Sequence, residues 1–174
     1  MKATTFALIA GFVYFVLGLL GLVPVMLVPP PIDAPPTHFA MLYGYLLGLF
    51  PVNLLHTALN IVIGVAGLMA WSGRMNATLY ARALAWIFGV LAVMGMLPVL
   101  NTLFGVMPLH SHDIWLHALT ALVAAYVGWR EPATIHERRR AMMDRRQRMV
   151  PVARERRFGL ADRREHLGGG MSPA

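Results

Sequence analysis

The chain has 174 residues, of which 57% are hydrophobic and 13% charged, and its formal net charge is +7. Soluble domains carry about 25% charged residues, so this composition is typical of a membrane protein. The absence of cysteine excludes disulfide bonds, thiolate metal sites and cysteine nucleophiles. Only five charged residues precede residue 130, so an apolar domain, residues 1–130, is followed by an arginine-rich tail, residues 131–174.

Four apolar runs of about 20 residues each predict transmembrane helices. They cover about residues 4–27, 51–71, 78–98 and 112–130. The first run is too long for a signal peptide, and no small-residue cleavage site follows it, so we interpret it as a permanent helix. The predicted fold class is therefore an all-α integral membrane protein built as a four-transmembrane-helix bundle.

The positions of Lys and Arg predict the orientation, because these residues mark the cytoplasmic side. They occur at Lys2, at Arg74, at Arg82 and throughout the tail, whereas residues 28–50 and 99–114 contain none. With four spans, both termini then lie in the cytoplasm of a bacterial inner (cytoplasmic) membrane protein.

The predicted outer segment between the first two spans begins with a proline-rich stretch that cannot be helical throughout. The apolar residues 39–49 follow it and contain two tyrosines. They predict a short helix that lies in the outer membrane interface.

An internal repeat is indicated when the chain is shifted by 57 residues. Residues 48–67 then lie without gaps on residues 105–124, and Pro51 meets Pro108. Polar and small residues follow the proline in the same order in both segments. Two parallel helix-pair repeats, related by an axis along the membrane normal, would produce this pattern, and chance similarity is the alternative.

Polar residues lie on one face of the second and fourth spans, because their spacing is three or four residues. Small residues continue the same faces and occur at similar spacing in the other two spans, where they allow close helix packing. The predicted intramembrane polar cluster is Asn53, His56, Asn60, Asp113 and His117. The predicted packing residues are Gly11, Gly18, Gly64, Gly67, Ala81, Ala85, Gly89, Ala121 and Ala124.

Two interpretations of the polar cluster remain open. Asp113 and His117 are four residues apart on a helix, so they can pair directly and orient the fourth span. The alternative is a metal, haem or proton-pathway site, since ionisable residues inside a membrane are costly and often functional. The candidate metal ligands are His56, His110, His112 and His117. No catalytic residue is predicted. A metal or haem cofactor is expected only if the second interpretation of the polar cluster holds.

The chain resembles the bacterial four-helix membrane proteins grouped as domain-of-unknown-function family 4383. The resemblance rests on GLFPVNLLH at residues 48–56, on Gly64 and Gly67, and on the H-D-x-x-L-H run at residues 112–117. It covers roughly residues 4–130 and leaves out the tail. It implies a four-helix integral membrane protein and supplies no activity, substrate or cofactor.

The tail is predicted to be partly helical, with a disordered end. Its arginines are expected to contact anionic lipid headgroups, and nucleic acid is not an expected partner because only Phe158 could stack on a base. The arginines proposed for lipid or partner binding are Arg138, Arg139, Arg140, Arg145, Arg146 and Arg148.

Three functions are compatible with these features. The first is a structural or accessory subunit, without enzymatic activity of its own, that packs in the bilayer with itself as a homodimer or with other membrane subunits. The second is a metal- or haem-binding redox protein that uses the histidines of the outer half. The third is a small solute or proton transporter or channel that works as a dimer.

Overall fold

The computed structural model describes residues 1–130, so the predictions for the tail lie outside the described residues. Four long helices form most of this part of the chain. They are α1 (Ala3–Gly21), α2 (Leu54–Trp71), α3 (Ala77–Met96) and α4 (His112–Arg130). A short turn joins α2 to α3, whereas longer segments join α1 to α2 and α3 to α4.

The helices pack as two antiparallel pairs, α1 with α2 and α3 with α4, which we call hairpin 1 and hairpin 2. Small residues bring the helices of hairpin 1 into backbone contact. A Cβ atom added to Gly67 would lie 2.6 Å from the Cα atom of Gly11, and Gly18 and Gly64 are buried against the facing helix. Such close approach supports helix association in lipid, where no hydrophobic force draws helices together.

Hairpin 2 also packs through small residues. Ala81 and Ala124 are completely buried, and Ala121 is buried beside them. Ala85 and Gly89 are only half-buried, and a Cβ atom added to Gly89 would find its nearest neighbour, the Cβ atom of Ala121, 4.0 Å away. These two predicted packing residues therefore lie at the margin of the α3–α4 interface.

A small antiparallel sheet replaces the interfacial helix predicted for residues 39–49, and that prediction was wrong. Its strands are β1 (Leu27–Val28), β2 (Gly44–Leu46) and β3 (Phe50–Val52), in the order β1-β2-β3. Leu47 and Gly48 both have positive φ, 55° and 74°, which turns the chain back on itself between β2 and β3. Pro51 has no N–H to donate, and it is accommodated because β3 is an edge strand.

Two predicted spans are longer than the helices that form within them. Helix α1 ends at Gly21, because Pro24 lies just beyond and begins a single 3₁₀ turn (Pro24–Met26). Helix α2 begins at Leu54 and not at Pro51, because Asn53 caps it by accepting a hydrogen bond from the backbone N–H of His56 at 3.0 Å. The third and fourth spans agree with α3 and α4 within two residues.

Helices α1, α2 and α3 are long and apolar enough to cross a membrane, with 19, 18 and 20 residues. Helix α4 has the matching length of 19 residues but carries Asp113, His117 and Arg130, so it is less apolar. The described residues thus combine three candidate spans with a fourth helix whose polar groups need a separate explanation.

A candidate metal centre between the two hairpins

The polar face of α2 meets the polar face of α4 in a compact cluster. His56 lies in the first turn of α2, Asp113 in the first turn of α4, and His117 one turn further along α4. The Oδ2 atom of Asp113 lies 3.8 Å from Nε2 of His56 and 3.5 Å from Nε2 of His117. One ligand atom from each of the three side chains lies within 4.8 Å of the other two. We call these three residues the His–Asp–His cluster.

The cluster is removed from solvent. His56 is 3% exposed, and Asp113 and His117 are each 1% exposed. Burying a carboxylate without compensation is strongly unfavourable, so such a group needs a cation, a proton or several hydrogen bonds. The Oδ2 atom of Asp113 has no hydrogen-bond partner among the described residues. A cation or a proton is therefore needed to compensate the Asp113 carboxyl group at this position.

The orientation of His56 is fixed by the loop that precedes α4. Its Nδ1 atom lies 3.2 Å from the carbonyl oxygen of Pro108. A carbonyl oxygen only accepts, so Nδ1 carries the proton and donates it to Pro108. The lone pair of His56 then resides on Nε2, the atom that faces Asp113. This arrangement, with the second imidazole nitrogen bonded to a backbone carbonyl, is the usual support of a metal-ligating histidine.

Two neighbouring rings contact the imidazole of His117. Its ring stacks on Phe88, with centroids 4.9 Å apart, and on His56, with centroids 6.0 Å apart. Phe88 in turn stacks on Tyr14 of hairpin 1 at 4.9 Å. The Nδ1 atom of His117 has no hydrogen-bond partner among the described residues. Packing, rather than hydrogen bonding, therefore sets the direction of its Nε2 atom.

The three groups fit a small divalent ion. Zinc bonds to nitrogen and oxygen of about 2.0–2.1 Å space tetrahedral ligands by roughly 3.3 Å. The separations of 3.5 and 3.8 Å that join Asp113 to the two histidines are slightly wider than this. The ligand atoms of the two histidines lie within 4.8 Å of each other, so the side chains would have to move inward to share one ion. Two imidazoles and one carboxylate suit first-row transition metals.

Asn53 lies three residues before His56 and stabilises the start of α2. It is completely buried, and besides capping α2 it donates its side-chain amide protons to the carbonyl oxygens of Phe39 at 3.0 Å and Val106 at 2.8 Å. It thus joins both long connecting segments to the start of α2. Asn60 is also buried, one turn beyond His56 on the same face, but the contacts within the cluster do not include it.

The other two candidate metal ligands lie outside the cluster. His110 is 8% exposed, and its Nδ1 atom lies 3.5 Å from the Tyr45 hydroxyl, while burial lowers the pKa of its imidazole. His112 is exposed and contacts the Ser111 hydroxyl at 3.2 Å. The structure thus brings together two of the four predicted histidines and adds Asp113. The four-residue spacing of Asp113 and His117 was the sequence signal for that addition.

The described residues thus form a helical protein in which three helices are long and apolar enough to span a membrane and a polar His–Asp–His cluster is buried between the hairpins. The chain belongs to the family described as domain of unknown function (DUF4383), whose profile matches residues 4–130. Within the described residues, that match includes the whole cluster and all of the four long helices except the first residue of α1. No curated protein and no solved structure matches the chain.

Proposed function

We propose that the protein is a four-span bacterial inner-membrane protein that binds a divalent transition-metal ion between its two hairpins. The observation that carries this proposal is the His–Asp–His cluster, in which three buried side chains from two helices converge within 4.8 Å. Asp113 would supply the negative charge, and His56 and His117 would supply neutral nitrogen ligands.

Support for the fourth span comes from the faces of α4. Between the two ends of α4, Asp113 and His117 are buried, whereas Trp115, Leu119 and Leu122 are 74%, 64% and 71% exposed. An apolar exterior with polar groups turned inward is the pattern of a membrane helix that lines a functional centre. The absence of Lys and Arg from the segments before α2 and α4 supports a cytoplasmic location of both termini.

A duplicated hairpin explains why the cluster lies between the pairs. Buried positions of α1 recur in α3 at a constant offset of 74 residues, and those of α2 recur in α4 at the offset of 57 found in the sequence. The first set is Ala3 with Ala77, Phe6 with Tyr80, Ala7 with Ala81, Ala10 with Leu84, Tyr14 with Phe88, Gly18 with Ala92 and Gly21 with Gly95. The second set is His56 with Asp113, Asn60 with His117, Gly64 with Ala121, Gly67 with Ala124 and Ala70 with Val127.

Two further features support the duplication. The turn residues Leu47 and Gly48 have φ values of 55° and 74°, and their counterparts Phe104 and Gly105, 57 positions later, have 58° and 83°. In addition, counterparts meet each other across the bundle. Tyr14 stacks on its counterpart Phe88 at 4.9 Å, and His56 lies 3.8 Å from its counterpart Asp113. Contacts between counterparts are expected along a two-fold axis, so the proposed metal ion would bind on that axis.

The geometry favours a bare ion over haem. Axial histidines approach a haem iron from opposite faces of the macrocycle. Here the Oδ2 atom of Asp113 lies 3.8 Å from Nε2 of His56 and 3.5 Å from Nε2 of His117, so a carboxylate and not a macrocycle lies against both nitrogens. Such a pair can bind one ion from the same side.

Metal binding is tested on protein purified in mild detergent, by elemental analysis and by titration with Zn²⁺ and Co²⁺. We expect about one ion per chain, and a loss of at least about tenfold in affinity for His56→Gln and His117→Gln. His112→Gln is the matched control, because this histidine is exposed and lies outside the cluster. Equal affinity in all these variants, or no binding by the parent protein, would contradict the proposal.

A failure to bind metal would favour the accessory-subunit function. The cluster would then act as a polar contact that fixes how the hairpins dock, and the protein would work by packing with a second copy or with other membrane subunits. Contact of the tail arginines with anionic lipid is compatible with either function and is tested by binding to vesicles with and without anionic lipid.

A further inference from the structure

We propose that the metal centre keeps one coordination position open, beside Asn60, and that this position takes a small monoanion such as hydroxide or azide. This inference rests on the metal site proposed above and adds the class of ligand that the site would accept. Three arguments carry it: the number of ligands, their charge and the position of Asn60.

The number of protein ligands leaves a free position. The His–Asp–His cluster supplies three donor atoms, while zinc and related ions take at least four ligands. Structural zinc sites fill all four positions with side chains, whereas catalytic sites use three and leave the fourth for water or substrate. With three protein ligands, the His–Asp–His cluster resembles the catalytic sites, which leave one coordination position open.

Charge favours a monoanion at the free position. A divalent ion, the Asp113 carboxylate and two neutral imidazoles together carry a net charge of +1. This charge would be buried, since the three side chains are at most 3% exposed, and an uncompensated buried charge is costly. One bound monoanion would neutralise the centre.

The position of Asn60 identifies where the fourth ligand would bind. Asn60 is the counterpart of His117 in the proposed duplication, and both are buried. Two-fold symmetry about the ion would therefore bring residue 60 to the fourth corner, opposite His117. A carboxamide is a much poorer ligand for these ions than an imidazole. It can, however, donate a hydrogen bond to an anion held by the metal.

The test uses Co²⁺ as the bound metal, because its visible absorption reports the coordination shell. Azide is titrated into the Co²⁺-loaded parent protein, and we expect a saturable spectral change with one azide per ion. Asn60→His should supply a third imidazole, which would fill the fourth coordination position. We expect it to bind Co²⁺ at least about tenfold more tightly and to lose the azide response. Asn60→Ala is the control: it removes the amide but leaves the position open, so the azide response should persist with weaker affinity.

The outcomes separate the two proposals. If the parent binds Co²⁺ but its spectrum does not change with azide, the open position is refuted and the metal site stands. If Asn60→His responds to azide like the parent, the assignment of residue 60 to the fourth corner is refuted. If no Co²⁺ binds, both proposals fail. The azide titration of the parent decides the main point even if Asn60→His does not fold.

Discussion

The side-chain amide of Asn53 donates a hydrogen bond to the backbone carbonyl of Val106 over 2.8 Å, and this contact links hairpin 1 to the segment that leads into α4. The same amide group donates to Phe39, and the side-chain oxygen caps α2. Three hydrogen bonds thus depend on one completely buried residue.

Asn53→Ala is predicted to be strongly destabilising. It removes a helix cap, worth about 1 kcal/mol, and leaves two carbonyl groups without their donors, each costing roughly 1–3 kcal/mol if water cannot replace them. We expect a total loss of roughly 3–7 kcal/mol in the free energy of unfolding in detergent. Asn76→Ala is the matched control, because Asn76 caps α3 in the same way but is exposed. A loss for Asn53→Ala no larger than for the control would refute the linking role.

Asp113→Asn is predicted to separate stability from metal binding. The substitution keeps the shape of the side chain and removes a buried charge whose Oδ2 atom has no hydrogen-bond partner among the described residues. Without metal, the variant should therefore unfold at a temperature equal to or above that of the parent. With metal at 100 times its dissociation constant, the parent should gain about 2.7 kcal/mol and the variant almost nothing. A large metal-induced shift in both proteins would show that the carboxylate is not a ligand.

Gly67→Ala and Gly89→Ala are predicted to have opposite effects, although both replace a glycine within a helix. Alanine favours the helix by about 1 kcal/mol. At Gly67 the new Cβ atom would lie 2.6 Å from Gly11 Cα, and overpacking of this kind costs about 1–3 kcal/mol. At Gly89 the nearest atom is 4.0 Å away. Thermal unfolding in detergent should show destabilisation only for Gly67→Ala; the reverse order would contradict the packing of hairpin 1.

Thiol labelling can test the proposed topology, because the natural chain contains no cysteine. Single cysteines are placed at two exposed positions, Ile32→Cys in the segment before β2 and Met75→Cys in the turn between α2 and α3. A membrane-impermeant thiol reagent should label the first in intact spheroplasts and the second only after permeabilisation. Labelling of both from the same side would exclude a membrane-crossing α2.

The main features of the fold could be predicted because each apolar run is long enough to form one helix. The sheet could not, because its pairing is nonlocal: Leu27 of β1 pairs with Leu46 of β2, at the far end of a proline-rich segment. Apolar composition alone does not distinguish a short strand from a short helix. The turn at Leu47 was also not predictable, because leucine rarely adopts the positive φ that it has there.

The candidate site was predictable in part for a similar reason. Helical spacing indicates that Asp113 and His117 share a face of α4, and shifting the chain by 57 residues aligns His56 with Asp113. The hydrogen bond from His56 Nδ1 to the Pro108 carbonyl oxygen was not predictable, because every residue has a backbone carbonyl and the sequence does not show which one lies near His56. His110 and His112 were grouped with the ligands because they belong to the predicted outer half, but His110 contacts the Tyr45 hydroxyl and His112 is exposed beside Ser111.

The cluster takes one residue from hairpin 1 and two from hairpin 2, so neither half of the chain holds a complete set of ligands. If an ion binds as proposed, association of the halves and binding of the ion would be thermodynamically linked, and each would strengthen the other by the same factor. A bound ion would fasten the two hairpins together, and its removal would loosen their contact before either hairpin unfolds. Two fragments divided within the turn between α2 and α3 would then reassemble with an affinity set by the metal concentration.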